Sequence, residues 1–241
     1  MKKAAGIIPA RYQSTRFPGK PLALIQGKPM IQWVYESVKK STLLSRFIIA
    51  TDDKRILNAA NSFGAEVFMT SVGHASGTDR VAEVAEQIDE PIIINIQGDE
   101  PLLQGRIIDG LVEVLQDDSI PMASLMARKT DLAGMPDPNH VKAVVDEHGY
   151  ALYFSRAPIP YGARDYYHLH IGVYGYQKEF LRELARMSSS RLETAERLEQ
   201  LRILEAGFKI KMLEVPYSAL SVDTPEDIIR VEEFLKRSAH E

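Results

Sequence analysis

The sequence predicts an α/β fold with a mostly parallel sheet and an antiparallel region inserted into it. Apolar runs of strand length alternate with segments whose apolar residues recur at helical spacing, which is typical of parallel strands joined by crossover helices. After about residue 127 the pattern changes to hairpin-like pairs of strands. At 241 residues, 45% of them hydrophobic, the chain is long enough for one sizeable domain. We expect a single domain, with a core of residues 1–127 and 207–241 and an insertion of residues 128–206.

The first half of the chain supplies most of the expected core. A buried strand is predicted at 4–8, where an apolar run ends at Pro9. Further core strands are predicted at 47–50, 66–69 and 91–96. Helices are predicted at 30–39, 56–63, 81–88 and 107–115, because their apolar residues repeat every three or four positions.

The second half begins with a predicted hairpin of strands 141–145 and 151–154, followed by a strand at 169–176. A helix is predicted at 193–206 because Gly207 is a typical residue after a helix end, and a strand is predicted at 209–215. The last helix is expected to begin at Thr224 and Pro225, with Asp227 in its first turn.

The most informative stretch is the loop from Ile7 to Leu22, which follows the first predicted strand. It carries three cations, Arg11, Arg16 and Lys20, among small residues. Guanidinium groups offer forked donors to phosphate and an ammonium group offers a point charge. This composition suits a triphosphate, although a solvated basic surface loop has the same composition. The loop is not a Walker A motif, and no GxGxxG follows a predicted strand, which disfavours a dinucleotide oxidoreductase.

Two carboxylates stand at positions that suit a cation. Asp99 follows a fully apolar predicted strand, and ligands of open α/β sheets bind beyond the carboxyl ends of strands. A tight turn rich in Gly and Asp would explain Asp99 equally well. Asp223 lies just before a predicted helix, where an acid is favourable for the helix dipole alone.

These motifs together resemble those of the sugar-activating cytidylyltransferases, in particular the 3-deoxy-manno-octulosonate (Kdo) cytidylyltransferases. The matching segments run in the family's order: IPAR, STR and PGKPL in the first loop, QGDEP at 97–101, YFSR at 153–156, LEQLR at 198–202 and VDTPED at 222–227. The resemblance implies a three-layer, Rossmann-like nucleotidyltransferase fold. It also implies an enzyme that joins CTP to Kdo, giving CMP-Kdo and pyrophosphate for lipopolysaccharide biosynthesis.

The resemblance also implies residue roles. Lys20, Arg11, Asp99 and Asp223 would be catalytic, and Asp99 and Asp223 would hold Mg²⁺. The nucleotide would be bound by Pro9, Ala10, Arg11, Ser14, Arg16, Lys20, Ser76, Gly77, Arg80 and Gln97. Ser76 and Asp79 also form a capping-box pattern, and this structural role is compatible with reading a cytosine edge.

The acidic sugar would be contacted, by the same resemblance, by Arg156, His170, Tyr174, Glu199 and Gln200. Ordinary structural explanations remain open for these residues. Arg156 suits a surface ion pair, Tyr174 a half-buried aromatic side chain and Glu199 a solvated helix position.

The composition limits the classes of molecule that this chain is expected to bind and the compartment in which it is expected to work. A net charge of −4 and an isoelectric point of about 5.9 argue against a nucleic-acid binder. The absence of cysteine fits a reducing compartment, and the short apolar run near Met1 suits neither a signal peptide nor a membrane span. We expect a cytoplasmic homodimer with no membrane insertion. The alternatives are a sibling enzyme for 8-amino-Kdo or another acidic keto sugar, and a noncatalytic nucleotide-binding module.

Overall fold

The structure is a computed structural model that describes residues 1–13, 17–216 and 221–238. Its contacts divide the chain into two compact units. The first, here called the terminal unit, comprises Lys2–Asp109 and Ala219–Glu241, and the second, the middle unit, comprises Gly110–Ser218.

The terminal unit contains a parallel sheet. Its strands are β1 (Ala4–Ala10), β4 (Leu44–Thr51), β5 (Glu66–Met69) and β6 (Ile92–Asn95), and β2 (Leu24–Ile25) and β3 (Lys28–Pro29) form a separate short hairpin. Strand β1 pairs in parallel with both β4 and β6, and β4 pairs in parallel with β5. Helices follow the strands as predicted, and they are α1 (Met30–Val38), α2 (Lys54–Ser62), α3 (Gly77–Ala85), α4 (Gly105–Val114) and α8 (Pro225–Ser238). The last residues of α4 belong to the middle unit.

Apolar burial explains this sheet. Ile7 and Ile8 of β1, Ile48 and Ile49 of β4 and residues 92–94 of β6 are fully buried. Each such side chain contributes about 1.5–3 kcal/mol through burial. Continuous apolar strands of this kind are expected where a parallel sheet is covered on both faces.

The middle unit is mainly antiparallel. Its elements are β7 (Met122–Lys129), β8 (Lys142–Val145), β9 (Ala151–Ser155), β10 (Tyr167–Gln177), α5 (Lys178–Leu184), α6 (Arg191–Glu196), α7 (Gln200–Glu205) and β11 (Lys211–Glu214). Strand β10 pairs antiparallel with β7 and β8, β8 forms the predicted hairpin with β9, and β11 joins β7 in parallel. The predicted fold class, a mixed α/β fold with a parallel sheet and an antiparallel part, is confirmed.

The compact middle unit is larger than the expected insertion of residues 128–206, because β7 and β11 pair with each other in the same unit as β10. The single-domain organisation with its core of residues 1–127 and 207–241 stays a prediction.

The helix predicted at 193–206 is wrong as one continuous element. Helix α6 ends at Glu196, Arg197 adopts a left-handed conformation with φ +55°, and α7 begins at Gln200. The reason is a distant side chain. Arg156 donates hydrogen bonds from Nε to the carbonyl of Glu196 and from Nη2 to that of Arg197, and so satisfies the carbonyl groups that a continuing helix would use.

Of the helices in the described ranges, none has the combination of length and apolar character that a bilayer span needs.

Candidate active site

A cleft of about 1080 Å³ opens in the terminal unit beyond the carboxyl ends of β1, β4 and β6. This is the edge at which open α/β sheets bind ligands. Most of the predicted nucleotide and metal residues line it, namely Pro9, Ala10, Arg11, Lys20, Ser76, Gly77, Arg80, Gln97, Asp99 and Asp223. The remaining two, Ser14 and Arg16, lie outside the described residues.

Lys20 is the centre of this cleft's charge network. Its Nζ atom donates hydrogen bonds to Oδ2 of Asp99 at 2.7 Å, to the carbonyl of Val222 at 2.9 Å and to Oδ1 of Asp223 at 3.5 Å. These contacts use all three N–H groups of an ammonium ion. Three segments that are far apart in the sequence therefore meet at one nitrogen atom.

Local structure brings the Lys20 side chain to this point. Gly19, at φ +75°, adopts the left-handed conformation that glycine tolerates, and a 3₁₀ turn of Lys20–Leu22 follows it. A Cβ atom on Gly19 would lie 3.1 Å from the ring of Tyr12, so both space and conformation favour glycine here.

The two carboxylates are positioned by backbone contacts. The amide of Val222 donates to the carbonyl of Asp99 at 3.0 Å, which joins the segment after β6 to the segment before α8. The carboxylate of Asp227 accepts hydrogen bonds from the amides of Asp223 and Thr224 and from the Thr224 hydroxyl. The predicted helix start at Pro225 is confirmed, and it holds Asp223 at the edge of the cleft.

The donor set fits Mg²⁺. Both carboxylates already lie around one cationic nitrogen, and hard divalent cations prefer oxygen ligands. Within the part of the chain that the structure describes, no third His, Cys, Asp or Glu completes a metal cluster. Beside a nucleotide, Mg²⁺ is usually bound by one or two carboxylates, and water and phosphate oxygens fill the other coordination positions.

The capping box predicted at Ser76 is confirmed. The Ser76 hydroxyl accepts from the amide of Asp79, and the Asp79 carboxylate accepts from the amide of Ser76. Ser76 and Gly77 thereby place the amino terminus of α3 at the cleft, opposite Pro9, whose Cγ would lie 3.4 Å from a Cβ atom on Gly77. Such a helix end presents unpaired N–H groups to a ligand.

Arg80 lines the cleft but is almost fully buried. Its Nη2 donates to Oδ2 of Asp52 at 2.9 Å, and its Nη1 donates to the Thr70 hydroxyl. The guanidinium is thus oriented by partners below the cleft. Three of its N–H groups are not used by these two contacts, and they remain for the predicted base contact.

In the middle unit, His170, Tyr174 and Gln200 form one cluster. The His170 and Tyr174 rings lie 5.5 Å apart, and the Tyr174 hydroxyl donates to Oε1 of Gln200 at 3.3 Å. Nε2 of Gln200 is buried and has no hydrogen-bond partner among the described residues. Desolvation lowers the pKa of the His170 imidazole to about 3, while burial and the Glu199 carboxylate raise the pKa of the Tyr174 phenol.

Arg156 differs from the expected picture of an exposed guanidinium. Its Nη1 donates to the carbonyl of Pro138 at 2.8 Å, in addition to the contacts at the end of α6. The buried ammonium of Lys142 donates to the carbonyl of Arg156, and burial lowers the pKa of Lys142. Arg156 is therefore built into the middle unit, and its sugar contact stays a prediction.

Comparison with known proteins places these features in a family. The model of a family described as cytidylyltransferase matches residues 5–211. The chain belongs to the cytidylyltransferase family. It is 48% identical to a 3-deoxy-manno-octulosonate cytidylyltransferase of Geotalea daltonii over 97% of this chain and 98% of that protein. It is 49% identical to the enzyme of the same name from Solibacter usitatus over 98% of this chain and 96% of that protein.

Among solved structures, the chain is similar to CMP:2-keto-3-deoxy-manno-octonic acid synthetase complexed with CTP. The TM-score is 0.94 at 40% identity, over 98% of this chain and 99% of that one. A 4-diphosphocytidyl-2C-methyl-D-erythritol synthase from Anaerococcus prevotii, at a TM-score of 0.66 and 15% identity, shares the fold over 98% of this chain and 99% of that one.

Sequence reasoning missed a second group of cleft residues. The Arg55 guanidinium lies 3.2 Å from the centroid of the Tyr12 ring, and Asp53 accepts two hydrogen bonds from it, at 2.9 and 2.6 Å. The Arg55 contact holds the pKa of the Asp53 carboxyl below its ordinary value. Tyr12 stands inside the predicted ligand loop, so its position was a usable signal. Nothing in the spacing of Arg55 indicates its partner.

Proposed function

We propose that this chain transfers CMP from CTP to 3-deoxy-manno-octulosonate. The Lys20 contacts carry the proposal, because they bring Asp99 and Asp223 together in the cleft that also holds Arg11 and the amino terminus of α3. The named relatives, 48–49% identical over nearly their whole length, support the same reaction.

The chemistry is a substitution at phosphorus. The anomeric hydroxyl of the sugar forms a bond to the α-phosphorus of CTP, the bond to the β-phosphate oxygen breaks, pyrophosphate leaves, and the hydroxyl proton passes to solvent. Reactions of this class need positioning and charge neutralisation rather than covalent help from the protein. Lys20 and Arg11 supply positive charge in the cleft, and no side chain is assigned as a base.

Asp99 and Asp223 are the proposed ligands of Mg²⁺, as their oxygen donors and common cationic neighbour support. A bound Mg²⁺ would neutralise phosphate charge and lower the pKa of the attacking hydroxyl. An ion held by these carboxylates would take the place of Lys20 beside them, and the ammonium group would then be available to a phosphate oxygen.

The cytosine ring is assigned to the amino terminus of α3. Backbone groups of Ser76 and Gly77 would read its edge, with Arg80 held in place by Asp52. The sugar is assigned to the cluster of His170, Tyr174 and Gln200, where the unpartnered amide nitrogen of Gln200 supports a polar ligand. Arg156 and Glu199 complete the proposed sugar contacts.

The wider setting is proposed on chemical grounds. A chain that uses CTP works where nucleoside triphosphates are made, which supports the cytoplasm. Its product, an activated acidic sugar, suits a pathway that builds lipopolysaccharide. A homodimer through the middle unit is proposed because Leu152 and Tyr161 expose large apolar surfaces there.

A pyrophosphate-release assay tests the function directly. CTP, UTP and ATP would each be combined with Kdo, 8-amino-Kdo and a sialic acid. We expect release with CTP and Kdo well above every other pair. Faster turnover with 8-amino-Kdo or sialic acid would identify a sibling enzyme, and CTP binding without release would identify a noncatalytic module. Light scattering of the same sample tests the dimer, which a monomer would exclude.

A further inference from the structure

Ser124, in β7, was not singled out by any motif, yet it is fully buried beside the proposed sugar cluster. In the β7–β10 register His170 lies opposite Met126, so Ser124, two residues along, faces the same side of the sheet. Its Oγ atom lies 3.0 Å from Nε2 of His170 and 2.9 Å from the carbonyl oxygen of Val173.

The position of Ser124 depends on an irregularity in β10. Ile171 pairs with Leu125 and Tyr174 pairs with Ser124, so Gly172 and Val173 are two extra residues on one strand. Such bulges re-aim side chains next to functional sites. The Ser124 hydroxyl satisfies the Val173 carbonyl that the bulge leaves out of the ladder.

The hydrogen-bond directions follow from counting protons. A carbonyl oxygen can only accept, so the Ser124 hydroxyl gives its single proton to the carbonyl of Val173 at 2.9 Å, with the carbonyl of Ile171 also within reach at 3.4 Å. The hydroxyl oxygen then accepts from His170, and Nε2 must carry a proton. In a neutral imidazole the other nitrogen, Nδ1, is left as an acceptor. Nδ1 has no hydrogen-bond partner among the residues that the structure describes, and desolvation keeps the ring uncharged by lowering its pKa to about 3.

We propose that Ser124 is a positioning residue that fixes the tautomer of His170, so that Nδ1 accepts a hydrogen bond from a hydroxyl group of the sugar. The hydrogen bond to the sugar rests on the proposed function, whereas the tautomer follows from the Ser124 contacts alone. The tautomer gives His170 and Gln200 different roles in the cluster. His170 recognises a donor group of the ligand, whereas the unpartnered Nε2 of Gln200 recognises an acceptor such as the sugar carboxylate.

Nitrogen-15 NMR of the full-length protein tests the tautomer in the wild type, with Ser124 intact. The His170 signals are identified as those that disappear in His170→Gln. We expect a protonated Nε2 and an unprotonated Nδ1 in the wild type, and we expect only the Nδ1 signal to move when Kdo is added. A protonated Nδ1 in the wild type would overturn the proposal, whether or not the protein turns out to be an active enzyme.

Kinetics of Ser124→Ala test the consequence. We expect a mixture of tautomers and a KM for Kdo raised about tenfold, the size of one lost hydrogen bond, with the KM for CTP changed less than about twofold. Ser41→Ala is the control, since Ser41 is also buried but bonds to Asp109 in the terminal unit. An unchanged tautomer together with an unchanged KM for Kdo would contradict the role of Ser124. If the wild-type protein formed no CMP-Kdo, the proposed function would be rejected instead.

Discussion

The ammonium nitrogen of Lys20 lies 2.7 Å from a carboxylate oxygen of Asp99, a proposed metal ligand. The same nitrogen lies 3.5 Å from a carboxylate oxygen of Asp223, the other proposed ligand. Because one cation already occupies the position between the two acids, a divalent ion bound there, as proposed above, would compete with Lys20. One ammonium charge therefore offsets part of the charge of the two carboxylates.

This competition predicts an unusual effect of Lys20→Met. Removing the ammonium group takes one positive charge away from the two carboxylates, so Mn²⁺ should bind about tenfold more tightly in the absence of nucleotide, while CTP binds about tenfold more weakly. Electron paramagnetic resonance measures free Mn²⁺, and calorimetry measures CTP. Lys54→Met, at an exposed position outside the cleft, is the matched control. Weaker Mn²⁺ binding in Lys20→Met would contradict the competition.

Asp52→Asn should disturb nucleotide binding through Arg80. The substitution removes the charge that pairs with an almost fully buried guanidinium, and such losses destabilise proteins by about 3 kcal/mol. We expect a lower free energy of unfolding in urea and a higher KM for CTP, with the KM for Kdo unchanged. A variant with the wild-type stability and the wild-type KM for CTP would show that Asp52 does not hold Arg80.

Stability should fall in mild acid because of His170. Its pKa is about 3 in the folded chain and near the ordinary 6.5 when unfolded, so the unfolded state binds the extra proton between these values. The neutral imidazole contributes fully to the free energy of unfolding above about pH 6.5, and this contribution is lost as the pH falls. The loss is about 2 kcal/mol at pH 5. Urea unfolding at pH 8 and pH 5 measures it. In His170→Gln the loss between these two pH values should be smaller, and an equal loss would exclude a His170 whose neutral form is favoured in the folded chain.

Arg156→Lys should separate sugar binding from nucleotide binding. Lysine keeps the charge but cannot reach the carbonyl groups of Pro138, Glu196 and Arg197 at the same time. We expect the end of α6 to loosen and the KM for Kdo to rise more than the KM for CTP, as steady-state kinetics would show. The reverse order would remove Arg156 from the sugar site.

Local sequence signals were sufficient for the elements that carry the acids. Asp99 follows an apolar strand, so it could be placed beyond a strand end, and Asp223 precedes a helix start marked by Thr224 and Pro225, which the structure confirms. The loop of Lys20 was equally visible from its glycine and cations. That these three residues share one cleft was expected from the resemblance and is observed, while their roles remain predictions.

Contacts between distant residues explain what the sequence did not show. Lys20 is separated by 79 residues from Asp99 and by 203 residues from Asp223 in the sequence, so spacing does not indicate that their side chains are in contact. The break between α6 and α7 depends on Arg156, and the orientation of Arg80 depends on Asp52. Helical periodicity carries no information about such side chains, because it records only which face of a segment is buried.

The central claim is that Asp99 and Asp223 act together on the reacting phosphate, and turnover of Asp99→Asn and Asp223→Asn measures this directly. With CTP, Kdo and Mg²⁺, we predict pyrophosphate release about 10³-fold slower in each variant, corresponding to about 4 kcal/mol of transition-state stabilisation. Asp89→Asn, exposed and outside the cleft, should keep the wild-type rate. Near wild-type rates in correctly folded Asp99→Asn or Asp223→Asn would contradict the account.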